Sequence, residues 1–423
     1  MRRIATLALA ATLAAVPAAA QRGRAGIHDP MPRPALWAGA DTTDANSYYN
    51  LGVQRLATEP RVAADAFYWA YRLRPGWADA LYGRRVALLM ANPERLVRYM
   101  DGQRTTTRSA DVLAVDSLYV RALTLDPFLF RKFDRQLFAA YLRRLAENAI
   151  RRGGEGVEQA RVDDWIRSIL SSLDPETAGW RAYSEGRFPD AIESYERATR
   201  AGGGRHRSRS RTELARVLYL AGQHDRARDE MAKAIDDMRR EDADDLVYLY
   251  ESKAVLEHSV AAIHERQSRP DSARQAYGRA LEEDLAFYPA HVRLAALALA
   301  AGDTASAVAE MDLAAQLAPG DGALRFDYAG LLVSARKYPE AVEELKRAIE
   351  LEPWFAAPHL LLGKIHDASG LKLEAVQNYR DFLARAPRGD AQRVWAESRL
   401  ASVESALAAE AASGGTTASA PTP

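Results

Sequence analysis

The 423-residue sequence contains no cysteine. Disulfide bonds, thiolate metal sites and lipid attachment through a cysteine after a signal peptide are therefore excluded. No apolar run reaches the roughly 18 residues that a membrane-spanning helix needs. Charge is also balanced, with 57 basic and 57 acidic side chains. A chain without excess positive charge is not expected to bind nucleic acid or anionic lipid.

Recognisable enzyme and metal motifs are missing as well. His264-Glu265 begins a metalloprotease-like fragment, but the second histidine that would coordinate zinc is absent. Residues 334–337 match the S-x-x-K string of penicillin-binding enzymes without its S-D-N and K-T-G partners. His359 and His366 lie two helical turns apart, where packing between helices is the simpler expectation. The sequence predicts a non-enzyme with no metal ion and no cofactor.

The start of the chain predicts export. Met1-Arg2-Arg3 precedes an apolar stretch over residues 4–16, and Ala18-Ala19-Ala20 supplies a small-residue cleavage site. This is the pattern of a secretory signal peptide, and its apolar run is too short to remain as a membrane anchor. We therefore expect a soluble, non-lipidated protein that is exported to the periplasm or secreted.

Four alanines recur at intervals of 34 residues, and the residues around them recur too. The repeating positions are an alanine (Ala273, Ala307, Ala341, Ala375), a large residue four places later (Tyr277, Met311, Leu345, Tyr379) and a third position three places beyond it (Ala280, Ala314, Ala348, Phe382). Prolines follow the last three copies at Pro319, Pro353 and Pro387. Small side chains let two helices approach, large ones fill the space between them, and proline ends the second helix.

This pattern resembles the tetratricopeptide repeat, a pair of antiparallel helices that must stack on its neighbours. The resemblance implies an all-α fold, a right-handed α-solenoid of stacked helix pairs closed by a C-terminal capping helix. The expected organisation is a signal peptide (1–20), a flexible N-terminal segment (21–43), repeats 1–2 (44–127), a divergent helical pair (128–175), repeats 4–9 (176–387), the capping helix (388–410) and a disordered tail (411–423).

Three segments depart from the pattern. Residues 128–151 and 156–173 have helical periodicity without the signature residues, and a long connection over 92–107 precedes them. Residues 244–268 are expected to form an unusually long first helix. The arginine-rich run 205–211 is interpreted as a flexible connection between repeats, with binding of an anion as the alternative.

The resemblance also implies a concave groove lined by the first helix of each pair. The candidate groove residues in the last three repeats are Val292, Ala296, Leu299, Phe326, Gly330, Val333, Leu360, Lys364 and Asp367, and those in the middle of the array are Trp180, Tyr183 and Tyr219. A mainly apolar, small lining suits a peptide or an amphipathic helix bound through its hydrophobic face.

Three functions are weighed. We favour a non-catalytic scaffold of the cell envelope that binds a protein or peptide in the groove. The alternative is a periplasmic protein that binds a glycan or small ligand on Trp180, Tyr183 and Tyr219. An enzyme is the third, and its site would need several aspartates of the irregular segment 92–173 to converge: Asp111, Asp116, Asp126 or Asp134. Neither the partner nor the oligomeric state follows from the sequence.

Overall fold

A computed structural model describes residues 31–101, 110–154, 156–241 and 252–414. All regular structure in these ranges is helical, and no helix there is long and apolar enough to cross a membrane. The helices are α1 (Ala45–Arg55), α2 (Pro60–Leu73), α3 (Ala78–Met90), α4 (Pro93–Asp101), α5 (Ala110–Leu125), α6 (Asp134–Arg152), α7 (Gln159–Leu170), α8 (Pro175–Ser184), α9 (Phe188–Ala201), α10 (Arg205–Leu220), α11 (His224–Glu241), α12 (Lys253–Arg266), α13 (Pro270–Glu283), α14 (Tyr288–Ala300), α15 (Thr304–Leu317), α16 (Gly322–Ser334), α17 (Tyr338–Leu351), α18 (Ala357–Ala368), α19 (Lys372–Arg385) and α20 (Arg393–Gly414).

The helices pack in successive pairs, and each pair stacks on the next. The pairs are α1/α2, α3/α5, α6/α7, α8/α9, α10/α11, α12/α13, α14/α15, α16/α17 and α18/α19, and α20 packs on α19. The predicted all-α solenoid with a C-terminal capping helix is confirmed.

Close helix contacts explain why small and large residues alternate in the repeat. Phe67 of α2 is fully buried between Gly52 of α1 and Gly83 of α3. A Cβ atom added to Gly52 would lie 2.9 Å from the Phe67 ring, and one added to Gly83 would lie 2.7 Å away. Such distances are shorter than van der Waals contact, so only glycine lets both helices reach the same aromatic ring.

Glycine and aspartate mark where helices end and begin. Gly302 and Gly370 follow α14 and α18 with φ angles of 81° and 77°, a left-handed conformation that glycine adopts without strain. Asp303 and Asp321 then accept hydrogen bonds from the first-turn amides of α15 and α16. These caps supply partners for backbone groups that a helix end leaves unpaired.

The turn between α5 and α6 is the main difference from the predicted secondary structure. A helix was expected from residue 128, but α6 begins at Asp134. The Tyr183 hydroxyl accepts a hydrogen bond from the Arg131 amide and donates one to the Leu129 carbonyl, both at 3.0 Å. Because these bonds come from α8, they hold residues 126–133, hereafter the 126–133 segment, in a non-helical path.

The arginine-rich run was also predicted wrongly. Residues 205–211 form the first turns of α10 and are not a flexible connection. Ser208 and Ser210 are buried. Arg209 lies 3.2 Å from Glu176 and Arg211 lies 3.0 Å from Asp237. Burial and ion pairs with neighbouring helices therefore hold this run in a helix, and the alternating serines and arginines gave no sign of these partners.

Other boundaries shift without changing the order of elements. The long connection contains a helix of its own, α4, before residues 102–109, which lie outside the described ranges. Of the long first helix expected over 244–268, the structure shows α12, and residues 242–251 lie outside the described ranges. The capping helix continues to Gly414, four residues beyond the expected end, and residues 415–423 are again outside.

The first helices of the array contact its last connections, an arrangement that we call the closing contact. Trp69 of α2 meets Trp354, which follows α17, edge to face at 5.4 Å between ring centroids. The Arg33 guanidinium lies 4.4 Å from the Trp69 ring centroid and 5.2 Å from that of Trp354. Arg72 forms an ion pair with Glu352. Aromatic and cation–π contacts of this kind hold two surfaces together with defined geometry.

Polar contacts extend the closing contact on both sides. Asp41 accepts a hydrogen bond from the Arg388 amide at 2.6 Å, and Thr43 donates one to the Ala386 carbonyl at 3.2 Å. Arg121 of α5 pairs with Asp321 at 3.2 Å. Residues 33–43 are therefore held by the array, whereas the expected signal peptide (1–20) and residues 21–30 of the segment expected to be flexible lie outside the described ranges.

Candidate functional site

Two successive first helices, α14 and α16, carry the predicted groove residues that remain accessible. Leu299 is 43% exposed and Ala296 is also exposed. Val292, Phe326, Gly330 and Val333 are half-buried. We call this surface the open groove; its residues are Val292, Ala296, Leu299, Phe326, Gly330 and Val333.

Gly330 marks an empty part of the open groove. A Cβ atom built on Gly330 would touch nothing within 4 Å. Phe326, one helical turn earlier, is fixed by an edge-to-face contact with Phe355 at 5.1 Å between ring centroids. This surface thus combines a fixed aromatic ring with open space one helical turn away, beside Gly330.

An acidic residue that the sequence did not single out lies beside this surface. Asp327 follows Phe326 on α16, and its side chain is exposed. Although the side chain is in contact with solvent, the many protein atoms around it remove part of the water from its carboxylate, and this desolvation, followed by repulsion from Asp321, raises the pKa of Asp327 to about 6. In the described part of the chain, no ion pair or hydrogen bond is found for its carboxylate. The only sequence signal was an aspartate between Phe326 and Gly330 in an otherwise apolar helix.

The last three predicted groove residues contact the capping helix: Leu360 is buried, and Lys364 and Asp367 are half-buried. Leu360 is buried in a cluster with α20 residues. The Lys364 ammonium lies 4.5 Å from the centroid of the Trp395 ring. Asp367 accepts hydrogen bonds from Arg399 at 2.6 and 2.9 Å. The physical reason is that α20 occupies the place of the next first helix, so its side chains complete these contacts.

The predicted aromatic shelf is covered by the chain itself. Tyr219 stacks on Phe128 with 3.7 Å between ring centroids and an angle of 15°. Trp180 donates its indole N–H to Asp134 at 2.8 Å. Tyr183 is fully buried and holds the 126–133 segment. These three rings do not form an open surface on which a sugar could stack.

A buried network of charged side chains lies beneath the 126–133 segment. Glu213 accepts hydrogen bonds from Arg131 at 3.2 Å and from Arg216 at 2.9 Å. All three residues are less than 9% exposed. Burial alone would raise the pKa of Glu213, but the adjacent guanidinium of Arg131, and then that of Arg216, bring it below its usual value. Glu213 therefore stays ionised and compensates two buried cations.

The aspartates that an enzyme site would require have separate partners. Asp126 accepts a hydrogen bond from the Phe128 amide at 2.9 Å, whereas Asp134 accepts from Tyr82 and Trp180. Asp116 is buried, and the side chain of Asp111 lies outside the described part of the chain. Within the described ranges, no group of three or more histidines and carboxylates is placed to hold a metal ion.

His258 is a buried titratable group that predicts acid sensitivity. It is 4% exposed and packs against Tyr277 and Phe287. Burial, followed by the charge of Arg293, lowers the pKa of His258 to about 4. Its folded-state pKa is thus below the unfolded value of about 6.5, so the stability it contributes is complete above pH 6.5 and is lost as the pH falls toward 4.

We expect acidification from pH 7.5 to pH 4.5 to cost the wild type about 2 kcal/mol more than the His258→Phe variant, measured by urea unfolding. Phenylalanine keeps an aromatic ring at this position and cannot take up a proton. The control is His206→Phe, because His206 is exposed at the surface. Equal acid sensitivity of wild type and His258→Phe would contradict the assignment.

Comparisons with known proteins identify repeats in the middle and the C-terminal half of the chain. Two family models described as "Tetratricopeptide repeat" match, one over residues 298–365 and the other over residues 177–245 and 261–322. Similar solved structures include MamA (16% identity, 41% of this chain and 94% of that chain, TM-score 0.35). Yeast Tom70 is 12% identical over 86% of this chain and 89% of its own, with a TM-score of 0.37. YrrB, described as a TPR protein with an unusual peptide-binding site, is 15% identical over 44% and 91%, with a TM-score of 0.32. No curated protein sequence matches the chain.

Proposed function

Because the chain is a tetratricopeptide-repeat protein, we propose that it is a non-catalytic scaffold that binds a peptide or helix of a partner protein on the open groove. The observation that carries the proposal is the contrast between covered and uncovered first helices. The 126–133 segment covers the middle of the array and α20 covers its end. Between them, Leu299, Ala296 and the side of Phe326 remain accessible.

Apolar side chains on this surface supply the driving force for binding. Burying apolar surface contributes roughly 25 cal/mol for each Å² removed from water. Leu299 and Phe326 are the large side chains here, and Phe326 is already fixed by Phe355. A rigid aromatic ring that loses little conformational freedom on binding is typical of residues that dominate an interface.

We further propose that the protein works outside the cytoplasm, in the periplasm of the producing cell. The support is the signal-peptide pattern over residues 1–20. The alternative of a glycan-binding protein loses its support, since Trp180, Tyr183 and Tyr219 all contact the 126–138 region.

Gly330→Gln is expected to weaken peptide binding at least about tenfold, because the added side chain occupies the open space beside Gly330 that the peptide would enter. The fold should be retained, since nothing lies within 4 Å of a Cβ at this position. Random dodecapeptides displayed on phage would be selected on the full mature chain. The affinity of the selected peptides for wild type and variant would then be measured by fluorescence anisotropy.

The matched control is Gly278→Gln on α13, a second helix. A Cβ on Gly278 likewise touches nothing within 4 Å, so this variant changes the same residue type outside the open groove. We expect it to bind the selected peptides like the wild type. Selection of no peptide, or equal binding by Gly330→Gln and the wild type, would sink the proposed function.

A further inference from the structure

We propose that the open groove selects a partner segment that presents a lysine or arginine side chain to Asp327, with apolar residues on either side of that basic residue. This inference rests on the proposed function and specifies the chemistry of the partner. It follows from the position of Asp327, from the pairing of the surrounding charges and from the shape of the surface beside it.

The surface around Asp327 has room for a long side chain. On a helix, residues three and four positions apart are neighbours on the same face. For Asp327 these neighbours are Ala323, Leu324, Gly330 and Leu331. The two leucines are buried, so the neighbours that share its accessible surface are Ala323 and Gly330, both small. A Cβ on Gly330 would find open space. The carboxylate therefore stands between two small residues, where the aliphatic stem of a lysine or arginine can lie along the groove.

The arginines nearby already have carboxylate partners. The ion pairs are Arg121 with Asp321 at 3.2 Å, Arg325 with Glu344 at 2.8 Å, and Arg293 with Glu265. Asp327 is the acid of α16 for which the described part of the chain provides no cation. Its negative charge is thus available to a charge from outside the chain.

Electrostatics favour a basic partner over an acidic or neutral one. The pKa of Asp327 is raised to about 6, first by partial desolvation and then by Asp321, so its ionised form lacks part of the stabilisation that a carboxylate fully surrounded by water receives. A cation bound beside it restores that stabilisation. An acidic side chain in the same place would meet both Asp327 and Asp321, and like charges at an interface exclude wrong partners.

A double-mutant cycle tests the inference. Peptides selected on the wild type are expected to carry lysine or arginine at one recurring position. Replacing that residue with norleucine, which keeps the length and removes the charge, should weaken binding about tenfold. Asp327→Asn should weaken binding of the basic peptide to a similar extent, and the two changes together should cost no more than either alone.

Glu343→Gln is the control for a general effect of charge. Glu343 lies on α17, is exposed, and pairs with Lys346 at 2.8 Å, outside the open groove. It should leave binding unchanged. Circular dichroism and thermal melting would show that Asp327→Asn remains folded.

The outcomes separate this inference from the proposed function. If Gly330→Gln abolishes binding while Asp327→Asn and norleucine have no effect, the groove binds peptides but does not select a basic residue. If the selected peptides have an acidic or uncharged residue at the position that contacts Asp327, the inferred selectivity for a basic residue is likewise wrong. If Gly330→Gln has no effect, both proposals fall together.

Discussion

Replacing Glu213 with leucine is expected to lower the free energy of unfolding by about 3–5 kcal/mol, as removal of one partner from a buried ion pair typically does. Arg131 would keep its longer contact with Asp134 at 3.7 Å, but Arg131 and Arg216 would both lose the Glu213 carboxylate that compensates their buried charges. Arg131 also sits in the 126–133 segment, whose backbone is held by Tyr183. Loss of the Glu213 carboxylate should therefore destabilise the 126–133 segment as well as the packing of α10. Urea unfolding followed by circular dichroism would measure the change.

The control for this substitution is Glu196→Gln. Glu196 pairs with Arg226 at 2.7 Å, but both side chains are in contact with solvent. An exposed pair of this kind contributes at most about 1 kcal/mol. Acid unfolding provides a second measurement, because a carboxylate whose pKa is lowered by folding stabilises the protein above its unfolded pKa and stops doing so as the pH falls. If Glu213→Leu changed stability as little as Glu196→Gln, the buried network would not support the fold.

Gly83→Val is the second substitution with a large expected effect, a loss of about 3 kcal/mol. Its Cβ would lie 2.7 Å from the Phe67 ring, and the ring has no free direction in which to move. Gly52 also lies against this ring, since a Cβ built on Gly52 would be 2.9 Å from it, and Phe133 packs against the same ring at 5.3 Å between centroids. Thermal melting of the variant would measure the loss.

The same substitution at Gly330 is the matched control. Gly330 is also a helical glycine, but its Cβ would meet nothing within 4 Å. Valine there should be neutral or slightly stabilising, because glycine costs helices about 1 kcal/mol relative to ordinary residues. A similar loss at both positions would mean that helix propensity, and not the contact with Phe67, sets the cost.

The regular part of the fold could be predicted because its signals are local. Gly302 and Gly370 follow α14 and α18 with positive φ, as glycine after a helix end commonly does. Pro339 lies in the first turn of α17, where proline is compatible with a helix start. Each of these features depends on the conformational limits of one residue and its neighbours, and these limits are visible in the sequence.

The 126–133 segment could not be predicted because its conformation is set from a distance. Phe128, Leu129 and Phe133 have the spacing of a helix face, and the sequence suggested a helix for that reason. The hydrogen bonds that prevent it come from Tyr183, more than 50 residues later in the chain. A periodicity argument contains no information on such a partner.

The same limit explains the partial success with the candidate site. The positions that face the groove in tetratricopeptide repeats identified residues on the first helices. Whether such a residue stays accessible depends on which other parts of the chain cover it. Leu360 is covered by α20 and Tyr219 by Phe128, whereas Leu299 is exposed. Asp327 was missed because the positions were chosen for the size and direction of side chains, and an unpaired charge is evident only once its surroundings are known.

The closing contact has a mechanical consequence for the open groove. In a solenoid with free ends, the motion that costs least energy is a change of curvature distributed over all the repeats. Trp69 against Trp354 and Asp41 against Arg388 tie one end to the other, so a bend in any repeat must strain these contacts too. The closing contact therefore restricts the distance between α14 and α16 before a peptide binds. A change in that distance would have to be accommodated by all the repeats together.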